Sequence, residues 1–69
     1  TNAKLVARAV RVIAHLGGVP PRRAEALFEA SGRHVKTAVL MARRGVDRPA
    51  ARRRLKAKGG SLRRALEER

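Results

Sequence analysis

The sequence lacks cysteine, tryptophan and tyrosine. Without cysteine, neither a disulfide framework nor a thiolate metal site can form. Phe28 is the only aromatic residue, so the aromatic platforms on which single-stranded nucleic acids stack are missing. No apolar run approaches the roughly 20 residues of a membrane-spanning helix, and no signal-peptide pattern is present. We therefore expect a cytoplasmic protein that does not engage a membrane.

Acidic residues are also scarce: 5 of them face 18 Lys and Arg, for a formal net charge of +13. Such an excess of one sign attracts nucleic acids through counterion release. The composition is also rich in Ala and Arg and poor in Lys, as codon drift in a GC-rich genome produces. Nucleic-acid binding is therefore the weaker of two interpretations of the charge.

Apolar residues recur at spacings of three and four along five stretches of the chain, the spacing that lines one face of an α-helix. Glycines separate these stretches, because glycine adopts the left-handed conformation that closes a helix. Pro20 and Pro21 suit the start of the second helix, Asp47 the start of the fourth and Ser61 the start of the fifth. No stretch alternates as a strand would. The sequence predicts an all-α protein, a small bundle of about five short helices.

An offset of 27 residues superimposes one part of the sequence on another. A helical hairpin buries little apolar surface alone, so this repeat predicts two hairpins stacked on each other. Chance similarity between Ala- and Arg-rich helices is the alternative. The matched positions are glycine turns and apolar residues: Gly18-Val19 with Gly45-Val46, Ala24 with Ala51, Phe28 with Leu55, Ala30-x-Gly32 with Ala57-x-Gly59, and Val35-Lys36-x-Ala38-Val39 with Leu62-Arg63-x-Ala65-Leu66.

The acid and base groups that a hydrolase or lyase pairs in a cleft are few. Glu25 and Glu29 lie four residues apart, a spacing that more often marks a solvated helix face paired with Arg22 or Arg33. Asp47 is explained as a helix cap. We expect no catalytic residue in this chain.

Metal and cofactor sites are equally poorly supported. The two histidines are too few for a metal site without suitably spaced carboxylates, and His34 precedes the third helix, where a capping or surface role is favoured. The glycine pairs at 17–18 and 59–60 lack the lysine and hydroxyl of a phosphate loop and follow helices rather than strands. We expect neither a metal nor a cofactor.

Basic residues crowd the stretch from 43 to 58, where Asp47 is the only acid. Three of them are consecutive and spread over more than half of a helix circumference, which is typical of a solvated helix covering a small core. The sharper alternatives are an acidic surface elsewhere on a parent protein, a phosphorylated ligand or a nucleic acid. The candidate basic interaction surface consists of Arg43, Arg44, Arg48, Arg52, Arg53, Arg54, Lys56 and Lys58.

Three motifs, in order and spanning nearly the whole chain, resemble the C-terminal tail of bacterial N-acetylmuramic acid 6-phosphate etherases. The first resembles the helix that follows their sugar isomerase (SIS) domain, the second their ubiquitin-associated-like segment, and the third their end. These motifs are Thr1-Asn2-x-Lys4-Leu5-x-x-Arg8-Ala9-x-Arg11-x-Ile13; Ala24-x-x-Leu27-x-x-Ala30-x-Gly32-x-x-Val35-Lys36-x-Ala38-Val39-x-Met41; and Leu55-x-x-x-Gly59-Gly60-x-Leu62-Arg63-x-Ala65-Leu66.

The resemblance implies a cytoplasmic carbon–oxygen lyase of cell-wall recycling. Such an etherase cleaves the D-lactyl ether of N-acetylmuramic acid 6-phosphate, giving N-acetylglucosamine 6-phosphate and D-lactate. Its catalytic glutamates belong to the SIS domain, and no residue of this chain matches them. The resemblance therefore implies a non-catalytic accessory domain that assists dimer assembly or active-site closure. The implied partners are the SIS domain of the same chain, a second subunit and the phosphorylated amino sugar bound by the parent.

The resemblance also implies a division of the chain. Residues 1–17 would be a linking helix after the SIS domain, and residues 18–69 a ubiquitin-associated-like domain containing the 27-residue repeat. Asn2 and Lys4 lie nearest the SIS boundary, so a contact with the sugar phosphate is expected of them in the parent. Ubiquitin binding is not expected, because the Met-Gly-Phe/Tyr loop it uses is replaced by residues 16–19. The alternative function is a basic nucleic-acid-binding or protein-interaction module.

Overall fold

The computed structural model describes residues 2–67, which form five α-helices joined by short turns. No strand occurs in this range, so the predicted all-α fold and its number of helices are confirmed. Thr1, which begins the first etherase-like motif, lies outside the described residues, as do Glu68 and Arg69. The helices are α1 (Asn2–Gly17), α2 (Pro21–Ala30), α3 (Val35–Arg44), α4 (Arg48–Ala57) and α5 (Leu62–Glu67).

The starts of α4 and α5 follow the caps expected from the sequence. Asp47 Oδ1 accepts from the Ala50 N–H at 3.0 Å, and Ser61 Oγ accepts from the Arg64 N–H at 3.2 Å. Each side chain thereby satisfies an N–H that has no partner within its helix. Pro21 opens α2 without a side-chain cap, since the first turn of a helix does not need the N–H that proline lacks.

Helix α3 is central, because it contacts all four other helices. Two hydrophobic clusters meet at this helix, where Val39 belongs to the larger and its neighbour Leu40 to the smaller. The hairpins α2–α3 and α4–α5 are therefore stacked through one shared helix. The larger cluster consists of Val10, Ile13, Ala24, Leu27, Phe28, Ala38 and Val39, and the smaller of Leu40, Ala51, Leu55 and Ala65.

Helix bounds in the two hairpins differ by the 27 residues that relate their sequences. Burial has the same offset: Ile13 on α1 and Leu40 on α3 are both inaccessible to solvent. The helices α1 and α3 both end at this spacing, at residues 17 and 44. The bounds of α2 are Pro21 and Ala30 against Arg48 and Ala57 for α4, and α3 and α5 begin at Val35 and Leu62.

The turns that follow α2 and α4 have matching main-chain hydrogen bonds. The Arg33 N–H donates to Phe28 O at 2.8 Å, and the Gly60 N–H donates to Leu55 O at 2.7 Å. Both donors have positive φ, 62° for Arg33 and 81° for Gly60. Such bonds satisfy the last carbonyls of a helix while the chain reverses, so the two turns have the same local geometry.

Helix α1 is part of the same packed unit rather than a separate arm. Val10 and Ile13 lie in the larger cluster. At Gly17 the backbone of α1 approaches α3 so closely that an added Cβ would lie 2.9 Å from Ala42 Cβ. The division into residues 1–17 and 18–69 stays a prediction about the parent chain.

Candidate functional site

Two open grooves mark the surface of the described residues. The α3–α4 groove has a volume of about 470 Å³ and is lined by His34, Thr37, Arg52, Arg53, Leu55 and Lys56. The α1–α2 groove has a volume of about 690 Å³ and is lined by Asn2, Ala3, Val6, Ala7, Val10, Arg11, Glu25, Phe28, Glu29 and Arg33.

The two grooves occupy equivalent places in the two halves of the fold. Every residue lining the α3–α4 groove except Arg53 matches, at the 27-residue offset, a residue lining the α1–α2 groove. Similar backbone positions therefore carry different side chains. The matched pairs are His34 with Ala7, Thr37 with Val10, Arg52 with Glu25, Leu55 with Phe28, and Lys56 with Glu29.

The rim of the α1–α2 groove is electrically balanced, with Glu25 and Glu29 against Arg11 and Arg33. Arg33 Nε lies 3.3 Å from Glu29 Oε2, and its guanidinium carbon lies 5.4 Å from the centre of the Phe28 ring. Both glutamates are exposed. The interpretation of these carboxylates as a solvated helix face with an arginine partner is confirmed by this ion pair.

The rim of the α3–α4 groove carries only positive charge. Arg52, Arg53 and Lys56 are exposed, and no carboxylate of residues 2–67 forms an ion pair with any of them. Arg54 and Lys58, which also belong to the predicted basic surface, are half-buried. The structure thus gathers part of that surface into a concave site.

The remaining members of the predicted basic surface lie elsewhere. Arg43 donates to Leu16 O at 3.4 Å, which places a cation at the C-terminal end of α1. Arg44 donates to Leu66 O, near the end of α5. Arg48 extends over the turn that follows α2. These three side chains lie at the ends of other helices, and an interaction role for them stays a prediction.

A buried polar network supports His34 at the α3–α4 groove. Ser31 Oγ donates to Phe28 O at 2.7 Å and accepts from the His34 N–H at 3.1 Å. His34 Nδ1 lies 2.6 Å from Thr37 Oγ1 and accepts from the Thr37 N–H at 3.4 Å. Ser31 and Thr37 are fully buried. His34 is therefore the N-cap of α3, as the sequence predicted, and its ring is held in place.

Asn2 and Lys4 are both exposed on the first turn of α1. Asn2 lines the α1–α2 groove, whereas Lys4 lines neither groove. The structure does not bring them together with the basic surface on α4. Their contact with a sugar phosphate in the parent stays a prediction.

The sequence analysis missed the groove pair, although the signal was present. It used the 27-residue offset to match glycines and apolar residues. The same offset places Glu25 on Arg52 and Glu29 on Lys56. A reversal of charge at two matched positions, one helical turn apart, indicates equivalent surfaces with different ligands.

These features define a small all-helical domain whose candidate sites are open grooves on its surface. None of the described helices is long and apolar enough to cross a membrane. The described residues contain no group of three His, Cys, Asp or Glu side chains that could hold a metal ion. No protein-family profile matches the chain, and no solved structure matches it either.

Curated relatives do match, and they bear the name that the motifs suggested. The chain is 48% identical, over 67 residues, to N-acetylmuramic acid 6-phosphate etherase of Salmonella typhimurium and to that of Salmonella choleraesuis. It is 46% identical to the etherase of Salmonella schwarzengrund. The match covers 97% of this chain and 23% of each relative. The chain is therefore homologous to the C-terminal part of these etherases, which confirms the resemblance.

Proposed function

We propose that this chain is the non-catalytic C-terminal accessory domain of an N-acetylmuramic acid 6-phosphate etherase. The observation that carries this proposal is the 48% identity, over 97% of the chain, to the C-terminal part of proteins bearing that name. The parent protein would cleave the D-lactyl ether in cell-wall recycling in the cytoplasm. Its products would be N-acetylglucosamine 6-phosphate and D-lactate.

The carboxylates of the described residues support a non-catalytic role. Asp47 caps α4, and Glu29 is paired with Arg33 in solvent. Glu25 lies on the rim of an open groove. A carboxyl that acts as a general acid or base is usually held in a desolvated cleft that shifts its pKa. We assign the catalytic groups to the SIS domain of the parent.

The accessory role rests on the surface of α1. Leu5 is 66% exposed and Leu16 is 43% exposed, and these are the large apolar side chains that the described residues leave in solvent. Both lie on the helix that would connect to the SIS domain. Burial of such side chains stabilises an interface. We propose that α1 packs against SIS domains in a homodimer and helps to assemble it or to close the substrate site.

Truncation tests the accessory role. D-lactate release from N-acetylmuramic acid 6-phosphate would be compared between the intact parent and a parent that ends before Thr1. Loss of activity or of dimerisation, with a folded SIS domain, is the expected result. A truncated protein that is dimeric and fully active would contradict it.

Single substitutions in the parent sharpen the test. Leu5→Ser should weaken the dimer or lower D-lactate release, because it removes apolar contact area. Arg8→Ser, on the same helix and also exposed, is the matched control. Equal effects of both variants would rule out a specific apolar contact. Lys4→Ala tests the sugar-phosphate contact, and an unchanged KM would exclude it.

The excess of positive charge favours one other function, a nucleic-acid-binding module. It predicts tight binding to mixed-sequence DNA at about 150 mM salt with a steep salt dependence. Phe28 is 7% exposed and lies in the larger cluster, so it offers no surface on which a base could stack. Binding that disappears near about 150 mM salt would leave only generic charge attraction.

A further inference from the structure

The three cations of the α3–α4 groove lie within little more than one turn of α4. Arg52 and Lys56 are four residues apart and therefore neighbours on one helix face, and Arg53 is adjacent. Like charges at this spacing repel one another, and no carboxylate of residues 2–67 offsets them by an ion pair. The repulsion would be relieved by an anion bound between them.

The fold does not require this charge. In the equivalent α1–α2 groove, the same rim positions carry Glu25 and Glu29, and the helix α2 is as long as α4. The positive rim is therefore a property of one groove and not of the backbone that forms it. A surface feature that the packing does not need points to a ligand.

The size and chemistry of the groove select the kind of anion. Its volume of about 470 Å³ falls in the range of small-molecule sites. Two guanidinium groups offer the planar, paired donors that suit phosphate oxygens, and a lysine adds a point charge. The half of the groove nearer α3 holds Thr37 and His34, and Leu55 supplies an apolar wall. Cations this close together fit one compact dianion better than carboxylates spread along a peptide.

We propose that the α3–α4 groove binds a phosphate monoester of a small polar molecule, with Arg52, Arg53 and Lys56 on the phosphate. His34 is the N-cap of α3 and lines the same groove. The partial positive charge of that helix end adds to the charge of the three side chains. This binding site goes beyond the accessory role proposed above, and it does not depend on that role.

The test is a titration of the ¹⁵N-labelled chain at about 150 mM salt, where surface attraction is largely screened. Glucose 6-phosphate, inorganic phosphate and glucose are the probes, and the amide spectra also report the fold of each variant. We expect saturable shifts at α4 and the start of α3 with glucose 6-phosphate, and none with glucose. Inorganic phosphate should bind more weakly. If it binds as tightly, the site belongs to free phosphate and the monoester is excluded.

The double variant Arg52→Glu, Lys56→Glu copies the rim of the α1–α2 groove, so we expect it to fold. Its affinity for glucose 6-phosphate should fall about tenfold or more, because two charge-assisted contacts are lost. Arg22→Glu, Arg23→Glu changes the net charge equally on the exposed start of α2 and should keep the affinity within about twofold. Equal losses in both double variants would overturn the proposal, as would DNA binding that saturates while glucose 6-phosphate causes no shift.

Discussion

The hairpins α2–α3 and α4–α5 have the same helix starts at an offset of 27 residues, but they differ in what fills them. The first contributes Leu27, Phe28 and Val39 to the larger cluster, which also includes two residues of α1. The smaller cluster relies on Leu40 and Leu55 beside two alanines. Because buried apolar area sets most of the stability, the half that contains α4 and α5 should be the weaker one.

Their grooves differ in the opposite sense. The α1–α2 groove has a larger volume and a balanced rim, whereas the α3–α4 groove is smaller and has a rim of one sign. Turn positions and small buried residues are similar in both halves because the backbone geometry depends on them. Exposed rim positions carry no such constraint, so they are where the two halves can acquire different ligands.

The largest expected effect comes from Leu40→Ala. Leu40 is inaccessible to solvent and is one of two large side chains in the smaller cluster. The substitution should lower the free energy of unfolding by about 3 kcal/mol. We expect hydrogen exchange in α4 and α5 to accelerate while α1, α2 and α3 stay protected. Ile13→Ala, at the equivalent position, should instead expose every helix, because α3 depends on the larger cluster.

Uniform loss of protection in the Leu40→Ala variant would contradict this view and make the chain a single cooperative unit. Leu5→Ala is the control. Leu5 is 66% exposed, so in this isolated chain the change in stability should stay within about 0.5 kcal/mol.

Ser31→Ala is the next largest change, because it breaks the one turn that uses a buried side chain. Ser31 Oγ accepts from the His34 N–H at 3.1 Å, whereas in the equivalent turn the Ser61 N–H donates to the main-chain oxygen of Lys58 at 3.2 Å. Loss of the hydroxyl leaves a partly buried N–H unpaired and should cost about 1–2 kcal/mol. Urea unfolding measures it, and Lys58→Ala, which keeps its main-chain acceptor, should cost less. Equal costs would mean that the hydroxyl is dispensable.

The sequence predicted the helices well because their signals are local. Asp47, Ser61 and the glycine turns act within a few residues, so spacing alone locates them. The central place of α3 is a different matter. Val39 and Leu40 are adjacent and belong to different clusters, and periodicity shows only that a residue faces inward, not which helix covers it.

The candidate site was predicted only as a charged stretch. Charge density along the chain identified residues 43 to 58. Which of these cations share a groove depends on tertiary packing: Arg43 reaches the end of α1, while Arg52 faces the start of α3 across the groove. Ser31 was expected only to help end a helix, since a buried hydrogen bond depends on how the turn folds back.

A smaller effect is expected at the matched left-handed positions. Gly60 has φ 81°, and an added Cβ would meet no atom within 4 Å, so Gly60→Ala would cost only the backbone term, about 1 kcal/mol. Arg33 accepts the same strain at φ 62°. Arg33→Gly should gain less than Gly60→Ala loses, because it also removes the contacts with Glu29 and Phe28. Thermal melting of both variants tests this, and a gain equal to the loss would mean that those contacts contribute nothing.

The smallest effect on stability should come from converting one groove into the other. Glu25→Arg, Ala26→Arg and Glu29→Lys together place, on α2, the three cations that α4 carries. All three positions are exposed, and the ion pair that is lost with Glu29 is worth about 0.2–0.5 kcal/mol, so the fold should persist. If charge at the rim is enough, the α1–α2 groove should then bind glucose 6-phosphate.

The residues on the α1 side of that groove decide how well the conversion works. Val10 and Ala7 stand there in place of Thr37 and His34, so the converted groove has the cations without the polar side chains opposite them. We expect saturable shifts in α2 with an affinity several-fold below that of the native α3–α4 groove, because fewer donors reach the ligand. Equal affinity would show that His34 and Thr37 serve only to cap α3. No binding at all would show that the cations act only together with that polar side.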